Sequence, residues 1–102
     1  MMKTTIQEEN NNQVVYFEGR LDTSASSQVQ MDVQPLINDI KSDIILNCEK
    51  LDYISSSGLR IFLGIVKAAK PKGSHVYITG LNAELQQVFA MTGFTNLFEF
   101  KE

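Results

Sequence analysis

The stretch from Leu51 to Gly64 constrains the fold more than any other part of the chain. It begins with an apolar run, crosses the serines at positions 55, 56 and 57 and a glycine, and continues as a strongly apolar helical pattern. The apolar positions of that pattern are Leu59, Ile61, Phe62, Leu63, Ile65, Val66 and Ala68. They cover two faces, as in a helix packed against both a sheet and a neighbouring helix. The serines are therefore predicted to lie where a strand passes into the N-terminus of a helix.

Strand and helix patterns alternate around this stretch. Strand patterns cover residues 3–7, 14–17, 44–46, 75–79 and 97–100, and the first two suggest a hairpin. Helix patterns cover residues 25–40, the stretch after the serines, and a short segment with Asn82 as N-cap and Gly93 as C-cap. The chain is thus predicted to be a single α/β domain over residues 1–102, with element order β-β-α-β-α-β-α-β. It has a mixed sheet of four to five strands and three helices, and the β-α-β-α-β part implies parallel strands joined by right-handed crossovers.

Local features add predictions about the first helix and the third strand. Thr23, Ser24 and Ser26 can all cap the first helix. Pro35 removes a backbone donor inside that helix and is expected to kink or split it. The short apolar run at residues 44–46 is typical of a strand covered on both faces.

Composition excludes several classes of function. Nine basic against twelve acidic residues give a net charge of −3, which argues against a nucleic-acid partner. Single residues of cysteine and histidine, Cys48 and His75, exclude an internal disulfide and make a structural zinc site implausible. No apolar run approaches the roughly 20 residues of a membrane span. We expect a cytoplasmic protein without cofactor, metal or membrane insertion, as a monomer or weak dimer.

The three serines do not match a catalytic motif. A nucleophile elbow centred on Ser56 requires glycine at position 54, which is Ile54. The one candidate histidine base, His75, begins a later strand, and no phosphate-binding loop is present. We therefore do not expect an enzyme. One serine, Ser55, is explained as a helix cap, but one cap does not account for three hydroxyls around one turn.

Three segments together resemble the STAS domains of anti-sigma-factor antagonists. Residues 51–59 are similar to the Asp-Ser-Ser/Thr-Gly-Leu signature, and residues 19–22 are similar to a Gly-x-Leu-Asp turn. Residues 89–94 resemble the segment that closes the domain, and the element order agrees from about residue 4 to residue 101. Ser55 stands where the signature has Asp, and Asn47 stands where the third strand usually ends in Asp.

This resemblance implies a phosphorylated regulatory protein of a bacterial partner-switching system. The unphosphorylated antagonist binds an anti-sigma factor that is also a GHKL-type Ser kinase, and this frees the sigma factor. The kinase phosphorylates the first serine after the signature Asp, here Ser56, and a PP2C-type phosphatase resets the system. Because Ser55 replaces the Asp, Ser55 and Ser57 remain alternative sites. The expected partner-binding residues are Asp22, Thr23, Ser55, Ser57, Gly58 and Arg60.

Two further alternatives stay open. Some STAS domains are non-phosphorylated subunits of lipid- or anion-transport complexes, and the fold alone does not separate these from switches. Asp22 is expected either to contact the partner or to cap the first helix through the amides of Thr23 or Ser24. Its turn is expected to come close to the serines, because both follow neighbouring strands. Tyr53 and Leu59 are expected to be buried.

Overall fold

Strands and helices alternate along the computed structural model, which describes residues 2–93 and 98–101. The elements are β1 (Met2–Glu9), β2 (Asn12–Leu21), α1 (Thr23–Asn38), β3 (Ile44–Ile54), α2 (Ser56–Ala69), a short 3-10 turn (Lys70–Lys72), β4 (Val76–Thr79), α3 (Ala83–Met91) and β5 (Glu99–Lys101). This confirms the predicted element order. The first residue of the predicted last strand, Leu97, lies outside the described residues, as does Phe94 of the closing segment.

The five strands form one sheet in the order β1-β2-β3-β4-β5. Strand β1 is antiparallel to β2, and the other neighbours are parallel. Each helix therefore connects two adjacent parallel strands. The carboxyl ends of β2, β3 and β4 consequently meet at one end of the sheet, where the serines follow β3.

A two-residue turn at Asn10 and Asn11 joins β1 to β2 and confirms the predicted hairpin. Glu9 pairs with Asn12 at its base. Both turn residues have positive φ, 51° and 67°. This is the arrangement that matches the twist of the flanking strands, and asparagine tolerates it better than most residues.

One face of the sheet packs against the helices to form the core. Alternate strand residues, such as Val15 and Phe17 of β2, join buried residues of all three helices in a single cluster. Phe62 of α2 lies at its centre, with its ring 5.0 Å from that of Phe17 and 6.1 Å from that of Phe89. Helix α2 therefore contacts both the sheet and other helices, as its two apolar faces predicted.

Strand β3 is longer and less covered than its sequence suggested. It runs for 11 residues, and Ile45 and Asn47 on its second face are only half-buried. The prediction that both faces are covered is wrong, because the core lies on one face. Asn47 was expected at the end of the third strand but lies within it. The register of pairing between β2 and β3 shifts between Tyr16 and Glu18. This shift interrupts the alternation of apolar residues in β3, so the sequence pattern does not reveal the remainder of the strand.

Helix α1 departs from prediction at both termini. Its N-cap is Asp22, so neither Thr23, Ser24 nor Ser26 takes that role. The helix continues through Pro35 to Asn38, so of the two expected effects of the proline, a kink or a split, the split does not occur. The proline is exposed in the last turn, where only one intrahelical hydrogen bond is lost.

The N-terminus of α3 was predicted correctly, whereas its C-cap is Thr92 and not the predicted Gly93. The Asn82 side chain accepts a hydrogen bond from the Leu85 amide at 2.8 Å, which identifies it as the N-cap. Gly93 follows the last turn with a φ of 77°, a conformation that glycine adopts readily. Among the described residues, no helix is both long enough and apolar enough to cross a membrane.

The positive φ of Asn11 in the turn between β1 and β2 leads to a prediction about stability. Asn11→Ala should lower the free energy of unfolding by about 1 kcal/mol, because an alanine at positive φ is strained. Asn11→Gly relieves that strain and should be at least as stable as the parent protein. Urea denaturation of the two variants measures the difference, and equal stability of the alanine and glycine variants would contradict the turn geometry.

Candidate functional site

The serines lie at the strand-to-helix junction that the sequence predicted. Strand β3 ends at Ile54, Ser55 is the N-cap of α2, and Ser56 is the first helical residue. The Ser55 amide donates to the carbonyl oxygen of Leu21 at 2.8 Å, which ties the end of β3 to the end of β2. The Ser55 hydroxyl oxygen accepts from the Gly58 amide at 3.2 Å, so the predicted cap is confirmed.

A chain of hydroxyl groups connects this junction to the start of α1. The oxygens of Ser55 and Ser57 are 3.0 Å apart, and those of Ser57 and Ser26 are 2.6 Å apart. The Ser26 hydroxyl in turn donates to the backbone carbonyl of Asp22 at 3.0 Å. We call the three side chains Ser26, Ser57 and Ser55 the hydroxyl chain.

The carbonyl at one end sets the direction of every hydrogen bond in the hydroxyl chain. A serine hydroxyl has one proton, and a carbonyl oxygen can only accept. Because Ser26 gives its proton to Asp22, Ser57 must donate to Ser26, and Ser55 must donate to Ser57. The protons of Ser55 and Ser57 are thus both engaged within the protein.

Ser56 differs from its two neighbours. It is exposed, and its hydroxyl has no hydrogen-bond partner within the described part of the chain. It also lies in the first turn of α2, where free backbone N–H groups and the helix dipole favour negative charge. Of the three consecutive serines, Ser56 is therefore the one whose hydroxyl is available to another molecule.

Asp22 lies beside the serines and also caps α1. Its carboxylate accepts from the Ala25 amide at 3.0 Å and from the Ser24 hydroxyl at 2.8 Å. The Ser24 hydrogen bond, and then the Ala25 amide, lower the pKa of Asp22 below its ordinary value. Asp22 is the cap of α1, and its turn reaches the serines through Ser26. The expected capping role and the expected approach to the serines are therefore confirmed. The amide that it binds is that of Ala25, and not that of Thr23 or Ser24.

Gly58 is buried, and its role differs from the one expected. A Cβ atom there would lie 2.7 Å from Cγ of Leu21 and 2.8 Å from Cγ1 of Ile54. These two side chains fill the space beside Gly58, so a residue that was expected to contact a partner is enclosed by the protein. Gly58 instead allows α2 to approach the ends of β2 and β3 closely.

Arg20 and Tyr53 form a pair that sequence reasoning missed. The guanidinium carbon lies 4.5 Å from the ring centroid, a cation–π geometry. Tyr53 is 41% exposed, so its expected burial is wrong, whereas Leu59 is buried as expected. Because successive strand residues face opposite sides, burial of Ile54 already placed Tyr53 outside the core. The pair lies at the ends of β2 and β3, within a few residues of the serines.

The remaining predicted contact residues are exposed. Thr23 is the first residue of α1, and Arg60 is one turn along α2 from Ser56. Among the described residues, Arg60 makes no ion pair. Both side chains are accessible to a partner, and their part in binding stays a prediction.

The geometry offers Ser56 no catalytic base from histidine. His75 precedes β4, so it lies at the opposite end of the parallel strands from Ser56, and its ring is bonded to Glu99 at 2.8 Å. Cys48 is buried, and burial raises the pKa of its thiol. The described residues contain no group of three or more His, Cys, Asp or Glu side chains able to hold a metal ion.

Two glycines of α2 provide a matched test of the packing. Gly58→Ala should lower the free energy of unfolding by roughly 1–3 kcal/mol, because its Cβ would overlap Leu21 and Ile54. Gly64→Ala is the control, because no atom beyond its chain neighbours and the adjacent backbone of its own helix lies within 4 Å of the added Cβ. It should raise the free energy of unfolding by roughly 0.5–1 kcal/mol. Thermal denaturation would contradict the packing if both variants were stabilised.

The cap on α1 makes a prediction about pH. Because the pKa of Asp22 is lowered on folding, its contribution to stability is present above the ordinary carboxyl pKa and is lost as pH falls through the folded pKa. Ser24→Ala removes the main cause and should raise the pKa of Asp22 in an NMR titration. Thr23→Ala, its exposed neighbour, should not. An unchanged pKa in Ser24→Ala would show that this hydrogen bond is not formed in solution.

Comparisons with known proteins agree with this geometry. Residues 3–102 match the STAS domain. An anti-sigma-B factor antagonist of Staphylococcus aureus (strain NCTC 8325 / PS 47) is 30% identical over 84 residues, which cover 82% of this chain and 78% of the relative.

Solved structures share the fold. An anti-sigma factor antagonist from Mycobacterium paratuberculosis superposes with a TM-score of 0.89 at 13% identity, covering 98% of this chain and 85% of that one. The Bacillus cell fate determinant SpoIIAA in its phosphorylated form superposes with a TM-score of 0.72 at 19% identity, covering 100% and 92%. The match over almost the whole sequence, together with the Staphylococcus relative, shows that the chain belongs to the STAS domain family of anti-sigma-factor antagonists.

Proposed function

We propose that this protein is an anti-sigma-factor antagonist that is switched off by phosphorylation of Ser56. The observation that carries the proposal is the difference between the three serines. Ser55 and Ser57 have their protons engaged in the hydroxyl chain, whereas the Ser56 hydroxyl is exposed and has no partner among the described residues. The name of the Staphylococcus relative, and the phosphorylated form of SpoIIAA, support the same reading.

In its active state the unphosphorylated protein binds an anti-sigma factor that is also a GHKL-type Ser kinase. Binding removes the anti-sigma factor from its sigma factor. The kinase then transfers the γ-phosphoryl group of ATP to the Ser56 oxygen, with loss of the hydroxyl proton and release of ADP. A PP2C-type phosphatase hydrolyses the phosphoserine back to serine and inorganic phosphate. The half-buried Asp22 and the exposed Thr23 and Arg60, which surround the acceptor, provide the contact surface.

The phosphate acts on binding and leaves the fold intact. It adds about −1.5 to −2 charges at the N-terminus of α2. The helix dipole favours a negative charge there by about 0.3–1 kcal/mol. Arg60 lies one turn further on the same face and is not engaged in a described ion pair, so it is free to meet the phosphate. The cost therefore falls on the partner, which must desolvate a dianion.

Ser55 fits this switch although related domains have Asp at its position. The Ser55 oxygen accepts from the Gly58 amide, which is the bond that a capping carboxylate would make. A neutral cap also places no negative charge beside Ser56, and this reduces repulsion of an incoming phosphoryl group.

Binding measurements test the proposal. Each anti-sigma factor with a GHKL-type kinase domain from the source genome is purified and titrated calorimetrically with wild-type protein and with Ser56→Asp. We expect one of them to bind wild type and to bind Ser56→Asp at least 10²-fold more weakly, equivalent to about 3 kcal/mol. The circular dichroism spectrum and the Tm should be nearly unchanged.

The control variant is Gln87→Glu, which adds a negative charge at an exposed position of α3. It should bind like wild type. If no kinase of this class binds wild type, the protein is not such an antagonist, and a constitutive subunit of a transport complex becomes the better account. Equal affinity of wild type and Ser56→Asp would show that Ser56 is not the switch.

A further inference from the structure

We propose that Ser26 and Ser57 are positioning residues that hold the N-termini of α1 and α2 together as one rigid surface. The proposal rests on the proposed function in one respect, namely that a partner contacts both Asp22 and Ser56. Its structural part, the rigidity of the junction, is independent of any partner.

The hydroxyl chain joins residues that are far apart in sequence. Ser26 and Ser57 are separated by 31 positions, and their oxygens are 2.6 Å apart. The backbone bond from Ser55 to Leu21 ties the strand ends together, but α1 begins only after Leu21. Beyond that point, the hydroxyl chain joins the first turn of α1 to the first turn of α2.

The same chain anchors both neighbours of the acceptor. The Ser55 side chain is bonded to the Gly58 amide and to Ser57, and the Ser57 side chain is bonded to Ser26. Ser56 lies between two residues whose side chains are fixed by hydrogen bonds, and this restrains its backbone. Its own side chain is exposed to solvent.

At the other end, the hydroxyl chain fixes Asp22 by its backbone and leaves its carboxylate in place as the cap. Ser26 donates to the Asp22 carbonyl oxygen, whereas the carboxylate binds Ser24 and Ala25. Replacing the Asp22 side chain therefore removes the cap of α1 but no hydrogen bond of the hydroxyl chain itself. The Asp22 carboxylate, which contacts the partner, and the Ser26 hydroxyl, which positions it, can therefore be removed by separate substitutions.

The direction of the hydrogen bonds makes Ser26 the most informative residue to remove. Without its hydroxyl, Ser57 loses its acceptor, and the Asp22 carbonyl loses one donor and keeps the Ala25 amide at 3.2 Å. Ser27 provides a matched control, since it is the next residue of α1, is exposed, and makes no side-chain hydrogen bond within the described residues. Ser26→Thr keeps a hydroxyl and provides the conservative variant.

The first measurement uses the protein alone. NMR hydrogen exchange is recorded for the amides of Ser55 and Gly58 in wild type, Ser26→Ala, Ser26→Thr and Ser27→Ala. Loss of a hydrogen bond of ordinary strength should speed exchange of these amides roughly two- to tenfold in Ser26→Ala. Ser27→Ala should match wild type, and Ser26→Thr should recover most of the protection. Unchanged exchange in Ser26→Ala would overturn the proposal whether or not a partner is known.

The second measurement uses the kinase that binds wild type in the titrations above. Ser26→Ala should weaken binding several-fold. In an Asp22→Ala background it should have a smaller effect, because one of the two groups that it positions, the Asp22 carboxylate, is already gone. A merely structural serine would instead lower the Tm without this dependence on Asp22.

The outcomes separate the two proposals. If Asp22→Ala weakens binding but Ser26→Ala does not, the positioning role is wrong and the proposed function stands. Equal effects of Ser26→Ala in both backgrounds would also contradict the positioning role. If no kinase binds wild type, the proposed function fails, and the hydrogen-exchange result alone decides whether the junction is held as described.

Discussion

The hydrogen bond from the Ser55 amide to the Leu21 carbonyl is the contact on which the rest of the site depends. It extends the parallel pairing of β2 and β3 by one residue beyond Ile54 and brings the starts of α1 and α2 to the same place. Gly58 permits the resulting close approach, because Leu21 and Ile54 occupy the space that any side chain would need. Given this junction, Ser26 and Ser57 come within hydrogen-bonding distance.

That geometry makes the three consecutive serines different from one another, although their side chains are chemically identical. Two hydroxyls have their protons committed in a chain that ends on a carbonyl, and the third is exposed at a helix N-terminus. The helix dipole tolerates the charge of a phosphate there, so modification is compatible with the fold. Phosphorylation would then affect binding of the partner, because it changes the surface formed by Asp22, Ser56 and their neighbours.

Periodicity and cap chemistry were enough to predict the element order, the junction, the Ser55 cap and the approach of Asp22 to the serines. They did not predict the contact of Ser26 with Ser57, because hydrophobic patterns do not say which hydroxyls meet across a crossover. The length of β3 was missed because only its first three residues form a continuous apolar run. Tyr53 was predicted to be buried, although strand alternation from the buried Ile54 places it outside the core. The burial of Gly58 was missed because sequence alone does not show what fills the space beside a glycine.

Phosphosite mapping tests the central claim most directly. The protein is incubated with ATP and the kinase that binds it, and the modified peptide spanning Ser55–Ser57 is sequenced by fragmentation mass spectrometry. The hydroxyl chain predicts a single phosphate on Ser56 and none on either neighbour. A phosphate on Ser55 or Ser57 in the otherwise unmodified protein would show that their protons are not engaged as the structure indicates, and would contradict the account.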